Sequence, residues 1–332
     1  MTCKDMDGIF LELKNIQEEF GKLTNEYDIY SSSKFYEIII ANMLGHHISP
    51  GAHGADAYDD FKKHYEYKHY KESSTNHTWT FNDYTDKTLS KLKSQTVLFI
   101  HINDVGITDP FKYIDWYYKV DGNVISNYIS KRSLKSDNKR NMINISVLQL
   151  ENDCGAKKTN VSSYCAKGQY SDYIIKIFRC IMSLEKMTET ENLLTSNKLW
   201  ELFLANKLGH KINSKQGGSG GKHDAQDSEH QKYEYKISQS TSWTFEDMSD
   251  AVIENMLLLD GIYLSQIDKQ KFKIKKILLL DTNKTMDFIK RKRDSMIADK
   301  LQQGKSINRL NVSISLKEAT ESQLILKNQI NS

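Results

Sequence analysis

Apolar side chains recur at helical spacing at two places along this chain, and each time the same succession of elements follows. Ile9, Leu13, Ile16, Phe20 and Leu23 form one stripe, and Ile174, Ile177, Ile181 and Leu184 form the other. Each is the pattern of an amphipathic helix with one buried face. A second helix follows, carrying Glu37 or Glu201 among apolar neighbours and ending at Leu-Gly-His, where the glycine suits a left-handed cap. After a turn-rich stretch, at 49–54 or 215–221, comes Tyr65-Glu66-Tyr67-Lys68 or Tyr233-Glu234-Tyr235-Lys236. This alternation reads as a strand with its tyrosines on one face and its glutamate and lysine on the other.

The pattern continues with a helix at about 82–93, strands near 97–102 and 113–120, a basic helix and a last strand at 143–148. The counterparts are a helix at 246–258, strands at 262–267 and 274–280, a helix around 287–293 and a strand at 310–316. Strands with intervening helices predict an α/β sandwich on a mixed sheet in each half.

The chain from about residue 9 to 148 is thus written a second time from about 173 to 314. The order of words is the same: a helix bearing Glu37 or Glu201, then Asp56-Ala-Tyr-Asp59 or Asp224-Ala-Gln-Asp227, then the Glu-x-Lys strand, then Trp79-Thr-Phe81 or Trp243-Thr-Phe245. A length of 332 residues suits two domains of about 150 each. Residues 1–150 read as the first repeat, the polar segment 151–170 as a linker and 171–332 as the second repeat. Solvated charges drift quickly after a duplication, so carboxylates and a lysine kept in register point to chemistry, performed twice.

Charge changes this picture only locally. The net charge is +3, so affinity for a polyanion must come from clusters rather than a global field. Lys131, Arg132, Lys135, Lys139 and Arg140 form one cluster, and Lys290, Arg291, Lys292 and Arg293 form another at the matching place. A basic run is ordinarily a solvated helix face; its recurrence in both halves points toward nucleic acid. Cysteines at 3, 154, 165 and 180 make neither a disulfide framework nor a zinc-spaced pair. With no signal-peptide core and no apolar run of membrane length, a soluble cytoplasmic protein with free thiols is expected.

Asp56 at the entrance of a strand, with Glu66 and Lys68 farther on, would bring two carboxylates and an ammonium together at a sheet edge. Such hard oxygen donors suit Mg²⁺, which keeps several waters and accepts a phosphate oxygen. The set fits hydrolysis of a phosphodiester. A lone (D/E)xK says little, because Glu12-Leu-Lys14, Asp60-Phe-Lys62 and Asp137-Asn-Lys139 match it too. None of those recurs in the other half. Glu66-Tyr-Lys68 and Glu234-Tyr-Lys236 do, each ten residues after the first aspartate of its Asp-Ala-x-Asp.

With those residues in place, the chain resembles the PD-(D/E)xK nuclease superfamily, and within it the type II restriction endonucleases, over nearly the whole of both repeats. The resemblance implies two tandem restriction-endonuclease-like α/β/α domains, each with a central mixed sheet. It implies Asp56 with Glu66, and Asp224 with Glu234, as ligands of Mg²⁺, and Lys68 and Lys236 beside the attacking water. Glu37 and Glu201 look like the additional helix-borne acid that many members place near the metal. Ala55 and His223 stand where the family name has proline, the loosest position of the motif.

Asp59 and Asp227 also recur; Asp56 and Asp224 are preferred as ligands because their wider spacing lets the chain turn between two strands. His46 and His210 end a helix, where an imidazolium meets the negative end of the macrodipole, and read as structural. Seven of the ten histidines lie in the first repeat, but without HExxH or CxxC spacing zinc is not expected. Trp79-Thr-Phe81 and Trp243-Thr-Phe245 read as core at a helix start, with the threonine as N-cap.

The function expected is site-specific, Mg²⁺-dependent cleavage of double-stranded DNA, one strand per repeat, by a pseudodimer acting as a monomer with internal pseudo-two-fold symmetry. Diverged halves predict a recognition site that need not be a perfect palindrome, and the resemblance implies a companion DNA methyltransferase. The alternatives are a structure-selective repair or recombination nuclease and a non-catalytic DNA-binding module that kept the fold.

Overall fold

The computed structural model describes residues 5–31, 33–51, 54–82, 84–134, 142–161, 168–194, 197–213, 223–304 and 310–329. The first repeat runs α1 (Met6–Thr24), α2 (Lys34–Leu44), β1 (His47–Ile48), β2 (Ala57–Tyr58), β3 (His64–Lys71), β4 (Trp79–Asn82), α3 (Asp86–Leu92) and β5 (Thr96–Ile102). It continues with β6 (Ile114–Asp121), α4 (Gly122–Ser133), β7 (Met142–Ile145), α5 (Val147–Cys154) and β8 (Lys158–Asn160). The second runs α6 (Ser171–Thr188), α7 (Lys198–Leu208), β9 (Lys211–Ile212), β10 (Ala225–Gln226), β11 (Lys232–Ser238), β12 (Ser242–Phe245), α8 (Asp250–Met256) and β13 (Gly261–Asp268). It ends with β14 (Lys273–Leu280), α9 (Thr282–Gln302), β15 (Val312–Ser315), α10 (Leu316–Glu321) and β16 (Ile325–Gln329).

Among the described residues the chain is α/β, on two six-stranded mixed sheets of identical strand order, β1-β2-β3-β5-β6-β8 and β9-β10-β11-β13-β14-β16. In each, one pairing is parallel, β3 with β5 and β11 with β13. The others are antiparallel. The strand β5 is buried at every residue, as expected for a strand covered on both faces. Beside it β3 alternates as expected: Tyr65 and Tyr67 are buried while Glu66 and Lys68 stay half-exposed.

Trp79-Thr-Phe81 and its counterpart do not start a helix. They form β4 and β12, paired antiparallel with β7 and β15. Thr80 and Thr244 therefore cap nothing; Thr85 and Ser249 are the N-caps of α3 and α8, each accepting from a backbone N–H. The tryptophans are core. Trp79 Nε1 donates to the Ile100 carbonyl at 3.0 Å and Trp243 Nε1 to that of Ser265 at 2.9 Å. They pack with Phe81, Phe99, Ile125 and Ile145 in one repeat and with Phe245, Leu264, Ile289 and Ile314 in the other.

The expected linker is in part structural. Residues 151–154 finish α5, whose Ser146 capping box matches that of Ser315 on α10. Lys158–Asn160 then form β8, antiparallel to β6 as β16 is to β14. An edge strand with both faces wet carries no apolar alternation, so its sequence reads as loop.

The compact units do not follow the repeat boundaries. One gathers Met1–Glu18, Tyr30–Ser33 and Arg179–Ser332; the other gathers Glu19–Ile29 and Lys34–Phe178. The start of α1 belongs with the second sheet: Phe10 meets Phe203 edge to face at 5.1 Å, and Gln17 Nε2 donates to the Lys269 carbonyl at 2.9 Å. The start of α6 belongs with the first sheet, where the Tyr170 N–H donates to the buried Asn42 side chain. The apolar stripes of both helices are buried except at Leu23, which is 55% exposed. No described helix is long and apolar enough to cross a membrane.

Candidate active site

Each repeat builds the same constellation by the same local steps. The helix ends at Gly45 (φ +68°) or Gly209 (φ +69°), a left-handed position that glycine adopts without strain. The chain then turns through β1 and β2, or β9 and β10, onto the lysine strand. Asp56 directly precedes β2, its N–H donating to the Tyr65 carbonyl at 2.9 Å; Asp224 does the same to Tyr233 at 2.9 Å. The pairing aims the carboxylate along the next strand. The Tyr67 N–H donates to Asp56 Oδ2 at 2.6 Å, and the Tyr235 N–H to Asp224 Oδ2 at 2.8 Å.

On the face opposite the tyrosines, Lys68 Nζ donates to Glu66 Oε1 at 2.7 Å and Lys236 Nζ to Glu234 Oε1 at 2.6 Å. Each ammonium also lies over a phenyl ring, Phe81 at 5.2 Å or Phe245 at 5.5 Å. A cation over a ring face gains roughly 0.5–2 kcal/mol, more where water is excluded. The recurring Trp-Thr-Phe thus has two parts: the tryptophan is core, and the phenylalanine is also the platform of the lysine.

Electrostatics at the two sites agree. Burial, then the charges of Glu37 and Glu66, push the Asp56 carboxyl well above 3.8; Lys68 and the Tyr67 N–H pull it back only in part. Asp224 is raised in the same way by burial, Glu234 and Glu201, and Glu201 is raised by burial against the pull of Lys198. Burial alone would lower both lysines. The carboxylates of Glu66 and Asp56, and of Glu234 and Asp224, outweigh it and hold Lys68 and Lys236 above 10.5. The pairing thus favours the ammonium form of each lysine, while the carboxylates repel one another.

Among the described residues no three His, Cys, Asp or Glu side chains converge to enclose a metal ion. What each site offers is two carboxylates, Asp56 with Glu66 or Asp224 with Glu234, in an environment short of positive charge. Mg²⁺ is commonly held by one or two carboxylates, with water and a substrate phosphate completing its shell. The donor set fits that ion.

Asp59 and Asp227 are accounted for otherwise. Asp59 Oδ1 accepts from the N–H groups of Phe61 and Lys63 at 2.9 and 3.0 Å, and Oδ2 from the Tyr65 hydroxyl at 3.0 Å. Asp227 accepts from Glu229, Gln231 and the Tyr233 hydroxyl in the same pattern. Both oxygens are committed to a turn whose Lys62 or His230 takes a positive φ.

His46 and His210 are neutral rather than imidazolium. Burial pushes His46 down to about 4 and lowers His210, against the helix-dipole expectation, because each ring stacks on Tyr65 or Tyr233. Their Nδ1 atoms share hydrogen bonds with the Tyr67 and Tyr235 hydroxyls at 2.8 and 2.7 Å. They hold the tyrosine face of the strand.

The basic run on α9 is half spent inside the fold. Arg293 is buried and paired with Asp250 and Asp294, both at 2.8 Å, and Lys292 pairs with Glu318. Lys290, Arg291 and Lys131 remain exposed. Lys135, Lys139 and Arg140, like the turn at 215–221, lie outside the described residues.

Two further charges went unread in the sequence. Lys34 opens α2 and reaches Glu37 Oε2 at 2.6 Å; Lys198 opens α7 and reaches Glu201 Oε2 at 3.3 Å. Their signal was recurrence three residues before a recurring glutamate. No family model matches the chain, and no curated protein matches it.

Proposed function

We propose that this chain is a Mg²⁺-dependent DNA endonuclease of the restriction type, with one active site in each repeat and each site hydrolysing one strand. The observation that carries this reading is the double occurrence of one geometry: an aspartate pinned to the backbone N–H of a strand whose next two outward residues are a glutamate and its paired lysine. The topology around both sites, an identical mixed sheet, agrees with a restriction-endonuclease-like domain in each half.

In this reading Asp56 with Glu66, and Asp224 with Glu234, hold the ion. The bound ion supplies Lewis acidity toward the phosphodiester and eases ionisation of water. Lys68 and Lys236, cationic and braced between a carboxylate and a phenyl ring, orient the attacking oxygen and meet the charge that develops on the phosphate. Duplex DNA presents antiparallel strands related by two-fold axes, which a fused pair of like domains can match from one chain.

The test is incubation of the purified protein with phage DNA in Mg²⁺ and in EDTA. Discrete fragments that require Mg²⁺ are expected. Mg²⁺-dependent nicking only at branched DNA would favour a repair nuclease, and DNA binding without hydrolysis in either Mg²⁺ or Mn²⁺ would overturn the enzymatic reading.

A further inference from the structure

The first residue of the glutamate helix is a lysine in both repeats, Lys34 on α2 and Lys198 on α7. Two costs attend that placement. A cation at a helix N-terminus faces the positive end of the macrodipole. An ammonium with a side chain 15% or 7% exposed also gives up much of its hydration. Lys34 and Lys198 carry these costs at the same register position of the two helices, although the residues beside them differ, Phe35 corresponding to Leu199 and Tyr36 to Trp200.

What offsets them is the glutamate one turn on. Lys34 Nζ stands 2.6 Å from Glu37 Oε2, and Lys198 Nζ 3.3 Å from Glu201 Oε2. Neither glutamate joins the two strand-borne carboxylates in a cluster able to enclose an ion. The glutamate is still close enough to act on the site, since Glu37 raises Asp56 and Glu201 raises Asp224.

Resting on the nuclease reading, we infer that Lys34 and Lys198 are positioning residues that occupy Glu37 and Glu201 with a built-in ammonium, so that each repeat binds one divalent cation, through its aspartate and Glu66 or Glu234, and not two. The helix acid then shapes the field of the site without being a ligand. Its lysine supplies the positive charge beside it, which leaves the strand-borne carboxylates as the donors for the cation.

Equilibrium dialysis of the full chain against Mn²⁺, without DNA, reads this directly. Wild type is expected to bind one ion per repeat. Replacing both helix acids, Glu37→Gln with Glu201→Gln, leaves that stoichiometry unchanged, because glutamine still accepts from the lysine and no ligand is lost. Replacing both lysines, Lys34→Met with Lys198→Met, removes the ammonium from each glutamate and raises the number bound above one per repeat. Two ions per repeat in wild type, loss of an ion in the glutamine variant, or a methionine variant that folds and binds as wild type would each overturn the inference and leave the nuclease reading standing. The control Asp56→Asn with Asp224→Asn should bind none; binding equal to wild type would overturn the inference and the nuclease reading together, since the ions would then lie elsewhere.

Discussion

The two candidate sites agree where their surroundings differ. The aspartate–backbone bond measures 2.6 Å in one and 2.8 Å in the other, and the glutamate–lysine bond 2.7 and 2.6 Å. Around them, Ala55 corresponds to His223, His69 to Ile237, and the 12-residue α4 to the 21-residue α9. Divergence that spares one set of distances separates what the site needs from what merely supports it. A kept charge need not be chemical, because Asp59 and Asp227 are matched as faithfully as Asp56 and Asp224. Their oxygens are consumed by a turn.

The largest effect should separate these two kinds of aspartate. Asp56→Asn in one repeat, or Asp224→Asn in the other, should slow cleavage of the strand served by that repeat about 100-fold or more, on the scale of losing one electrostatic partner of a transition state. Asp59→Asn and Asp227→Asn should lower the melting temperature and leave Mg²⁺-dependent cleavage of the folded protein near wild type. Equal loss of cleavage from both kinds of variant would erase the distinction.

A smaller effect follows from the charge imbalance. The folded Asp56 and Asp224 carboxyls titrate well above 3.8, so the folded state holds more protons than the unfolded one between that value and the raised folded ones. Their contribution to stability therefore falls as pH rises through that window. In EDTA, Asp56→Asn with Asp224→Asn should raise the melting temperature more at pH 7 than at pH 4. His46 and His69 act in the opposite sense: both are lowered by burial from 6.5 to about 4, so their contribution is lost as pH falls from 6.5. Comparing variant with wild type at each pH cancels that background. An equal shift at both pH values would mean that the carboxylates are not raised.

The smallest effect is spectroscopic. The His46 ring signals should not move on acidification until about pH 4, and His210 should titrate below 6.5. Nuclear magnetic resonance of the imidazoles reads both; a midpoint near 6.5 for either would break the likeness between the two tyrosine faces.

Much of this was legible in the sequence because duplication supplied its own comparison. Alternation in Tyr-Glu-Tyr-Lys placed the glutamate and lysine on one face, and the buried tyrosines agree. The readings that failed did so for physical reasons. Trp79-Thr-Phe81 is too short for its period to tell strand from helix start. In β8 the residues Lys158, Thr159 and Asn160 are all exposed, so nothing apolar marks them as a strand. Arg293 looked like part of a basic patch because its partner Asp250, on α8, meets it only when α9 is folded against its neighbours. Lys34 and Lys198 were passed over because a lysine beside a glutamate is ordinarily an unremarkable surface pair. Burial gives the pair its meaning.

If two like sites each cut one strand, inactivating one of them should leave a single nick. A supercoiled plasmid treated with Lys68→Ala should be nicked on one strand, and with Lys236→Ala on the other, mapped by end-labelling across the cut site. Linearisation of the plasmid by either variant at the wild-type rate would mean that the two sites do not divide the strands between them.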